Sequence, residues 1–106
     1  MINNIFSFYI SKQEVNIEQL PKKQKFGDYF ICTDNFTPFE QCEMGDRRCA
    51  IFGYGVDVVD LINKDLPKYI LDNTKDLSEV IDFEARLGGK YVIFYQDNNG
   101  YYLLGD

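Results

Sequence analysis

The chain has 106 residues, 45% hydrophobic and 16% aromatic, with eight Tyr, nine Phe and no Trp; this suffices for one core of single-domain size over residues 1–106 and excludes a disordered, collagen-like or disulfide-scaffold chain. Seventeen acidic against eleven basic residues give a net charge of -6, a field that repels nucleic-acid phosphates and anionic membrane surfaces. Histidine is absent, so the commonest general base, pH switch and metal ligand are missing together, and any catalysis must rest on Cys, Asp, Glu, Lys or Tyr.

Asn3 to Ile10 alternates Phe6, Phe8 and Ile10 against Ile5, Ser7 and Tyr9, a period of two that predicts a strand. Ser11 to Gly27 is polar, carries Pro21 and three lysines, and reads as a connection. Asp28 to Thr33 is aromatic and β-branched between Gly27 and Asp34-Asn35, which predicts a second strand, followed by a loop around Pro38 from Asp34 to Asp46. Arg47 to Phe52 predicts a third strand, ended by Gly53-Tyr54-Gly55.

Val58 to Leu71 spaces Leu61, Ile62, Leu66, Tyr69 and Ile70 as a helix that Pro67 must kink, divide or restart. A second helix follows from Asp76-Leu77-Ser78-Glu79, with Asp76 as N-cap, Glu79 three residues on and Gly88 as the C-cap glycine. Lys90 to Gln96 alternates apolar faces, and Asp97-Asn98-Asn99-Gly100 turns the chain into Tyr101 to Leu104. Asn99-Gly100 as a type I′ pair would set Tyr95 opposite Leu104 and Gln96 opposite Leu103. Strands at both ends around helices predict an α+β fold with a mainly antiparallel sheet and two or three helices.

The chemistry-bearing residues are sparse. Cys32, Cys42 and Cys49 are odd in number, lack a C-x2-C knuckle and have no His to complete a zinc set. Cys32 and Cys49 fall in predicted strands as small buried hydrophobes, whereas Cys42 falls in a polar loop whose carboxylates disfavour its thiolate. Gly53-Tyr54-Gly55 lacks the third glycine of a phosphate loop, and Asp57 beside it repels phosphate. Asp57, Asp60 and Asp65 do not follow calcium-loop spacing and suit the start of a helix. Tyr91, Tyr95, Tyr101 and Tyr102 could stack a base or sugar, but strand propensity accounts for them. No metal or cofactor is implied. The start MINNIFSFYISKQEV lacks the basic and long apolar regions of an export signal, and no window approaches the roughly 18 apolar residues of a membrane span. A cytoplasmic chain with free thiols is expected.

The run Ala50-Ile51-Phe52-Gly53-Tyr54-Gly55-Val56-Asp57, then Phe83-Glu84-Ala85-Arg86-Leu87-Gly88-Gly89-Lys90-Tyr91-Val92-Ile93-Phe94-Tyr95, then Tyr101-Tyr102-Leu103-Leu104-Gly105-Asp106 resembles the N-terminal glutaminase-like domain of asparagine synthase-related proteins over about residues 28–106. The resemblance implies an Ntn-hydrolase-like fold of antiparallel sheets and helices, here as a half-domain ending at the Gly105-Asp106 pair. An active member uses an N-terminal Cys whose own α-amine is the base. Met1 is followed by Ile2 here, so the resemblance implies a non-catalytic module.

Two functional expectations follow. One is an asparagine synthase-like N-terminal module that supports, or presents substrate to, an amide-forming, ATP-using synthetase partner or domain, or that self-associates. Its candidate interaction residues are Tyr54, Asp57, Tyr101 and Asp106. The other is a small acidic interaction protein, of inhibitor or immunity type, that covers a basic partner. An enzyme built on Cys42 or on an Asp pair ranks last, because no base is placed beside a nucleophile.

Overall fold

A computed structural model describes residues 7–105. The chain divides between Thr37 and Pro38 into two compact units.

The first unit contains a three-stranded antiparallel sheet of β1 (Phe8–Ser11), β2 (Lys22–Phe26) and β3 (Tyr29–Thr33), with β3 in the centre. Tyr-Phe-Ile-Cys-Thr gives β3 the aromatic and β-branched content that a central strand favours, and Ile31, Cys32 and Thr33 are buried. β1 pairs Phe8 with Thr33 and Ser11 with Phe30; of the strand predicted from Asn3, residues 3–6 lie outside the described residues. The Ser11 to Gly27 connection is corrected: it holds β2, which pairs Lys22 with Thr33 and Phe26 with Tyr29. Lys22 to Lys25 are exposed and only Phe26 is buried, so no apolar period marks this edge strand, and its lysines oppose pairing with other chains. Gly27, at φ 59°, supplies the left-handed position of the tight turn into β3. The Asp34 carboxylate accepts the Phe36 and Thr37 amides at 3.0 and 2.7 Å, and its bonding with Thr37 holds it below the usual carboxylate range.

The second unit contains a four-stranded antiparallel sheet in the order β4-β5-β6-β7, built from β4 (Phe39–Met44), β5 (Arg47–Asp57), β6 (Leu87–Asp97) and β7 (Gly100–Gly105). Two helices, α1 (Leu66–Asp72) and α2 (Leu77–Glu84), join β5 to β6. Alternation along β5 and β6 directs Cys49, Ile51, Tyr91, Ile93 and Tyr95 into one core with Leu66, Ile70, Leu71, Val80 and Phe83. Ala50, Phe52 and Phe94, one position out of phase, point to the opposite face of the sheet and are buried as well. The described residues are therefore α+β with antiparallel sheets, as the order of predicted elements implied. None of their helices is long and apolar enough to cross a membrane.

Several boundaries differ from expectation for identifiable reasons. The loop from Asp34 to Asp46 contains β4, whose Glu40, Gln41 and Glu43 are exposed on an edge strand and hide its period. Cys42 accordingly sits in a strand, half-buried. The third strand does not stop at Phe52: β5 continues through Gly53-Tyr54-Gly55 to Asp57, in unbroken register with β6 from Arg48–Gln96 to Asp57–Leu87. Residues 58–64 are not helical, and the helix starts only at Leu66 with Pro67 in its first turn, where its missing N–H costs nothing.

Asp76 does cap α2, accepting the Glu79 amide at 3.0 Å, while Glu79 reaches back to the Lys75 amide at 2.8 Å. That helix ends at Glu84 with Ala85 as C-cap, so Gly88 is not its cap but a β6 residue opposite Val56. The hairpin forms with a register two residues from the expected one: Tyr95 faces Tyr102, Gln96 faces Tyr101, and Asn98-Asn99 is the loop. Asp97 accepts the Asn99 amide at 2.8 Å and initiates the turn one residue early. Gly100, at φ 150°, then opens β7. A slip of two keeps each side chain on its expected face.

Candidate functional site

The continuation of β5 past Phe52 creates the candidate site. Gly55 faces Gly89 across the β5–β6 pair; a side chain would be crowded by neighbouring side chains at Gly55 and would collide with backbone at Gly89. A Cβ on Gly55 would stand 3.0 Å from both Ile51 Cδ1 and Leu66 Cδ2, and one on Gly89, at φ 116°, would stand 2.2 Å from the Tyr54 carbonyl oxygen. Bare backbone thus floors a cavity of about 530 Å³ walled by Phe39, Glu40, Tyr54, Asn63 and Leu66. The wall is mainly apolar, with one carboxylate and one amide for polar contacts, a composition suited to holding a group by shape. Glu40 Oε1 accepts the Asp65 amide at 3.3 Å.

Beside the cavity the chain makes a loop whose anchor is Asp57. This carboxylate has 0% exposure. It accepts Arg86 Nε at 2.8 Å, Arg86 Nη2 at 2.9 Å and the Asp60 amide at 2.8 Å. Hydrogen bonding from Arg86 holds its carboxyl below the usual range against the opposing effect of burial, and the same bonds raise the guanidinium. Arg86 Nη2 also reaches Asp60 at 3.1 Å. The Tyr69 hydroxyl donates to that second carboxylate, which raises the phenol's pKa. Asp57 further pairs its backbone with Ile62, its amide donating to the Ile62 carbonyl at 2.8 Å.

Within this pinned loop Leu61 holds φ 59° while 75% exposed, flanked by exposed Val58 and Val59. A left-handed leucine with its side chain in water contradicts both backbone and solvent preference, and such contradictions concentrate at binding surfaces. Tyr54, 64% exposed, belongs to the cavity wall and lies in β5, four residues before Val58.

The residues singled out from sequence do not converge. Tyr54 lies at the cavity. Asp57 is enclosed by its own partners and faces no solvent. Tyr101, half-buried, stands opposite Gln96, six residues along β6 from the Lys90 that faces Tyr54, a separation of roughly 20 Å. Asp106 lies outside the described residues. The tyrosines of the hairpin are divided between faces: Tyr91 and Tyr95 are buried, and the Tyr95 ring stacks on Tyr102 at 6.4 Å between centroids. Among the described residues no group of three His, Cys, Asp or Glu is placed to hold a metal ion. The cavity wall contains neither Cys nor Lys.

Sequence reasoning missed Arg86, Glu40, Asn63 and the apolar loop itself. The sequence places Leu61 and Ile62 with Leu66, Tyr69 and Ile70 on one helix face because their spacing fits one, whereas residues 58–64 are not helical. The Asp57 carboxylate accepts the Asp60 amide as a helix N-cap would, so no local signal separates this turn from a helix start.

Comparisons of the chain with protein-family models, with curated proteins and with solved structures return no match.

Proposed function

We propose that the chain is a non-catalytic, asparagine synthase-like N-terminal module, of Ntn-hydrolase-like descent, that works by contact with a synthetase-type partner or with another copy of itself. The observation that carries this reading is the pairing of a fixed, mainly apolar cavity with an exposed apolar loop, Val58-Val59-Asp60-Leu61, held by Asp57 and Arg86. Contact surfaces need apolar anchors presented on a rigid support. Chemistry needs a nucleophile with a base beside it, and the titratable groups at this cavity, Glu40 and Tyr54, do not form such a pair.

The alternative, an acidic module covering a basic partner, draws support from the exposed carboxylates of Glu40, Asp60 and Asp65 around the same loop and from the net charge of -6. Light scattering coupled to size-exclusion chromatography at low and high salt separates the two. Association that persists in high salt and is weakened by Leu61→Ser supports the module. A monomer in both conditions, together with salt-sensitive binding to a basic protein, transfers the case to the acidic reading. Ammonia release from L-glutamine above the buffer rate overturns the non-catalytic assignment.

A further inference from the structure

We infer that Cys42 and Cys49 form a cross-strand dithiol, a thiol-modification site that low-molecular-weight disulfides oxidise to an intramolecular disulfide. The two residues are direct partners in the antiparallel β4–β5 pair. Both belong to the helix-covered face: Cys49 is in the core, and Cys42 packs against the same core from the edge strand. The type of pair follows from the register. The Gly53 amide donates to the Pro38 carbonyl at 2.9 Å, and Pro38 and Gly53 continue the alignment that sets Phe39 opposite Phe52 and Cys42 opposite Cys49.

Hydrogen-bonded pairs recur at every second position along an antiparallel ladder, so Cys42–Cys49 is one of them, with a Cα separation of about 5.5 Å. That value falls inside the window of about 4.4 to 6.8 Å over which disulfides are bridged. Cys42 lies on an edge strand, which adjusts more easily than an interior one to complete the geometry. The two residues flank the Gly45-Asp46 turn, so the bond would close a short ring and fix β4, the strand that contributes Phe39 and Glu40 to the cavity wall.

The chemistry balances as two exchanges. The half-buried Cys42 meets the reagent first: its thiolate attacks one sulfur of RSSR, forming Cys42–S–S–R and releasing RS⁻. The Cys49 thiolate then attacks the Cys42 sulfur, forming the protein disulfide and releasing the second RS⁻. The protein loses two electrons and the two thiol protons, and the reagent leaves as two RSH. Burial pushes the Cys49 thiol up to about 12, which slows the second exchange relative to that of an exposed thiol.

Incubation of the whole chain with glutathione disulfide, followed by intact mass measurement, should show an adduct of about 305 Da that gives way to a species about 2 Da lighter than the starting chain, reversed by dithiothreitol. Trypsin cuts after Arg47 and Arg48, between the two cysteines, and a glutamate-specific protease cuts after Glu40, separating Cys42 from Cys32. After both digestions the Cys42 and Cys49 peptides should remain joined until reduced. Cys42→Ser should abolish the link, while Cys32→Ser should keep it. A persistent adduct with no 2 Da loss, a link that includes Cys32, or a covalent dimer as the main product would each overturn the inference, and the digest decides among them without any variant.

Discussion

Arg86 and Asp57, 29 positions apart, meet through two contacts of 2.8 and 2.9 Å, and the Arg86 carbonyl accepts the Val58 amide at 2.9 Å from the same side. Side chain and backbone together fasten the end of β5 to the start of β6. The loop that follows β5 is tied back to Asp57 by the Asp60 amide on its carboxylate and by the Ile62 carbonyl on its amide, and within it Leu61 holds a left-handed conformation facing water. The fork geometry of guanidinium and carboxylate makes the contact specific to arginine. Arg86→Lys should therefore lower the thermal midpoint by several degrees although the charge is kept.

The same pair sets an acid limit. Asp57 has its folded pKa below the unfolded value, so it binds fewer protons when folded; its contribution is present above the unfolded carboxyl value near 3.8 and is lost as pH falls through the folded value. Urea titrations from about pH 2 to pH 7 should show stability falling on the acid side, and Asp57→Asn should flatten that limb while lowering the plateau above about pH 5. An unchanged acid limb in the variant would remove Asp57 as its source.

Glycine at position 89 is a steric necessity, and glycine at 45 is a conformational one. At Gly89 a Cβ meets the Tyr54 carbonyl, whereas at Gly45, with φ 61°, nothing lies within 4 Å. Gly45→Ala should cost about 1 to 2 kcal/mol, the ordinary penalty of a left-handed alanine. Gly89→Ala should cost more, about 3 kcal/mol or above, because backbone must move as well as twist. Chemical denaturation of the two variants side by side measures the difference.

The sequence displayed those elements whose residues repeat at the period of their own structure. β3, β6 and the hairpin were legible because Tyr29 to Thr33 and Tyr91 to Tyr95 carry apolar side chains in unbroken order. The Asp76 cap of α2 was legible because it is a local bond between residues three apart. β2 and β4 were not, since edge strands with Lys22 to Lys25 or Glu40, Gln41 and Glu43 pointing outward satisfy their backbones without an apolar stripe. The site was the least visible part. Arg86 finds Asp57 only through the tertiary pairing of β5 with β6, and nothing within a few residues of either announces the other. Glu40 and Asn63 reach the cavity from different elements in the same way.

Arg47 supplies a further non-local dependence. Its guanidinium donates to the Leu71 carbonyl at 3.2 Å, the Thr74 carbonyl and hydroxyl at 2.7 Å each, and the Tyr95 hydroxyl at 3.0 Å. It thereby satisfies acceptors at the C-terminal end of α1, where helix carbonyls lack partners of their own. Arg47→Met should keep most of the aliphatic packing but orphan those acceptors, costing about 1 to 3 kcal/mol. Tyr95→Phe removes one of the four contacts and should cost less. Amide exchange should report the difference as faster opening of Asn73 and Thr74 in Arg47→Met than in Tyr95→Phe.

Leu61 separates stability from binding. In the core, Ile70 and Ile93 are nearly inaccessible, and truncation of either to alanine should cost about 2 to 5 kcal/mol by lost burial and the cavity left behind. Leu61 has the opposite balance: its side chain buries little, and its φ of 59° disfavours any residue with a Cβ. Leu61→Gly should relieve about 1 to 2 kcal/mol of backbone strain against about 0.5 to 1 kcal/mol of added chain entropy, for a net gain of about 0 to 1.5 kcal/mol. The same change removes an exposed apolar anchor, so it should weaken salt-insensitive association while raising the unfolding midpoint. A variant that loses stability would show that Leu61 is held by packing, and one that associates unchanged would place the contact surface elsewhere on the chain.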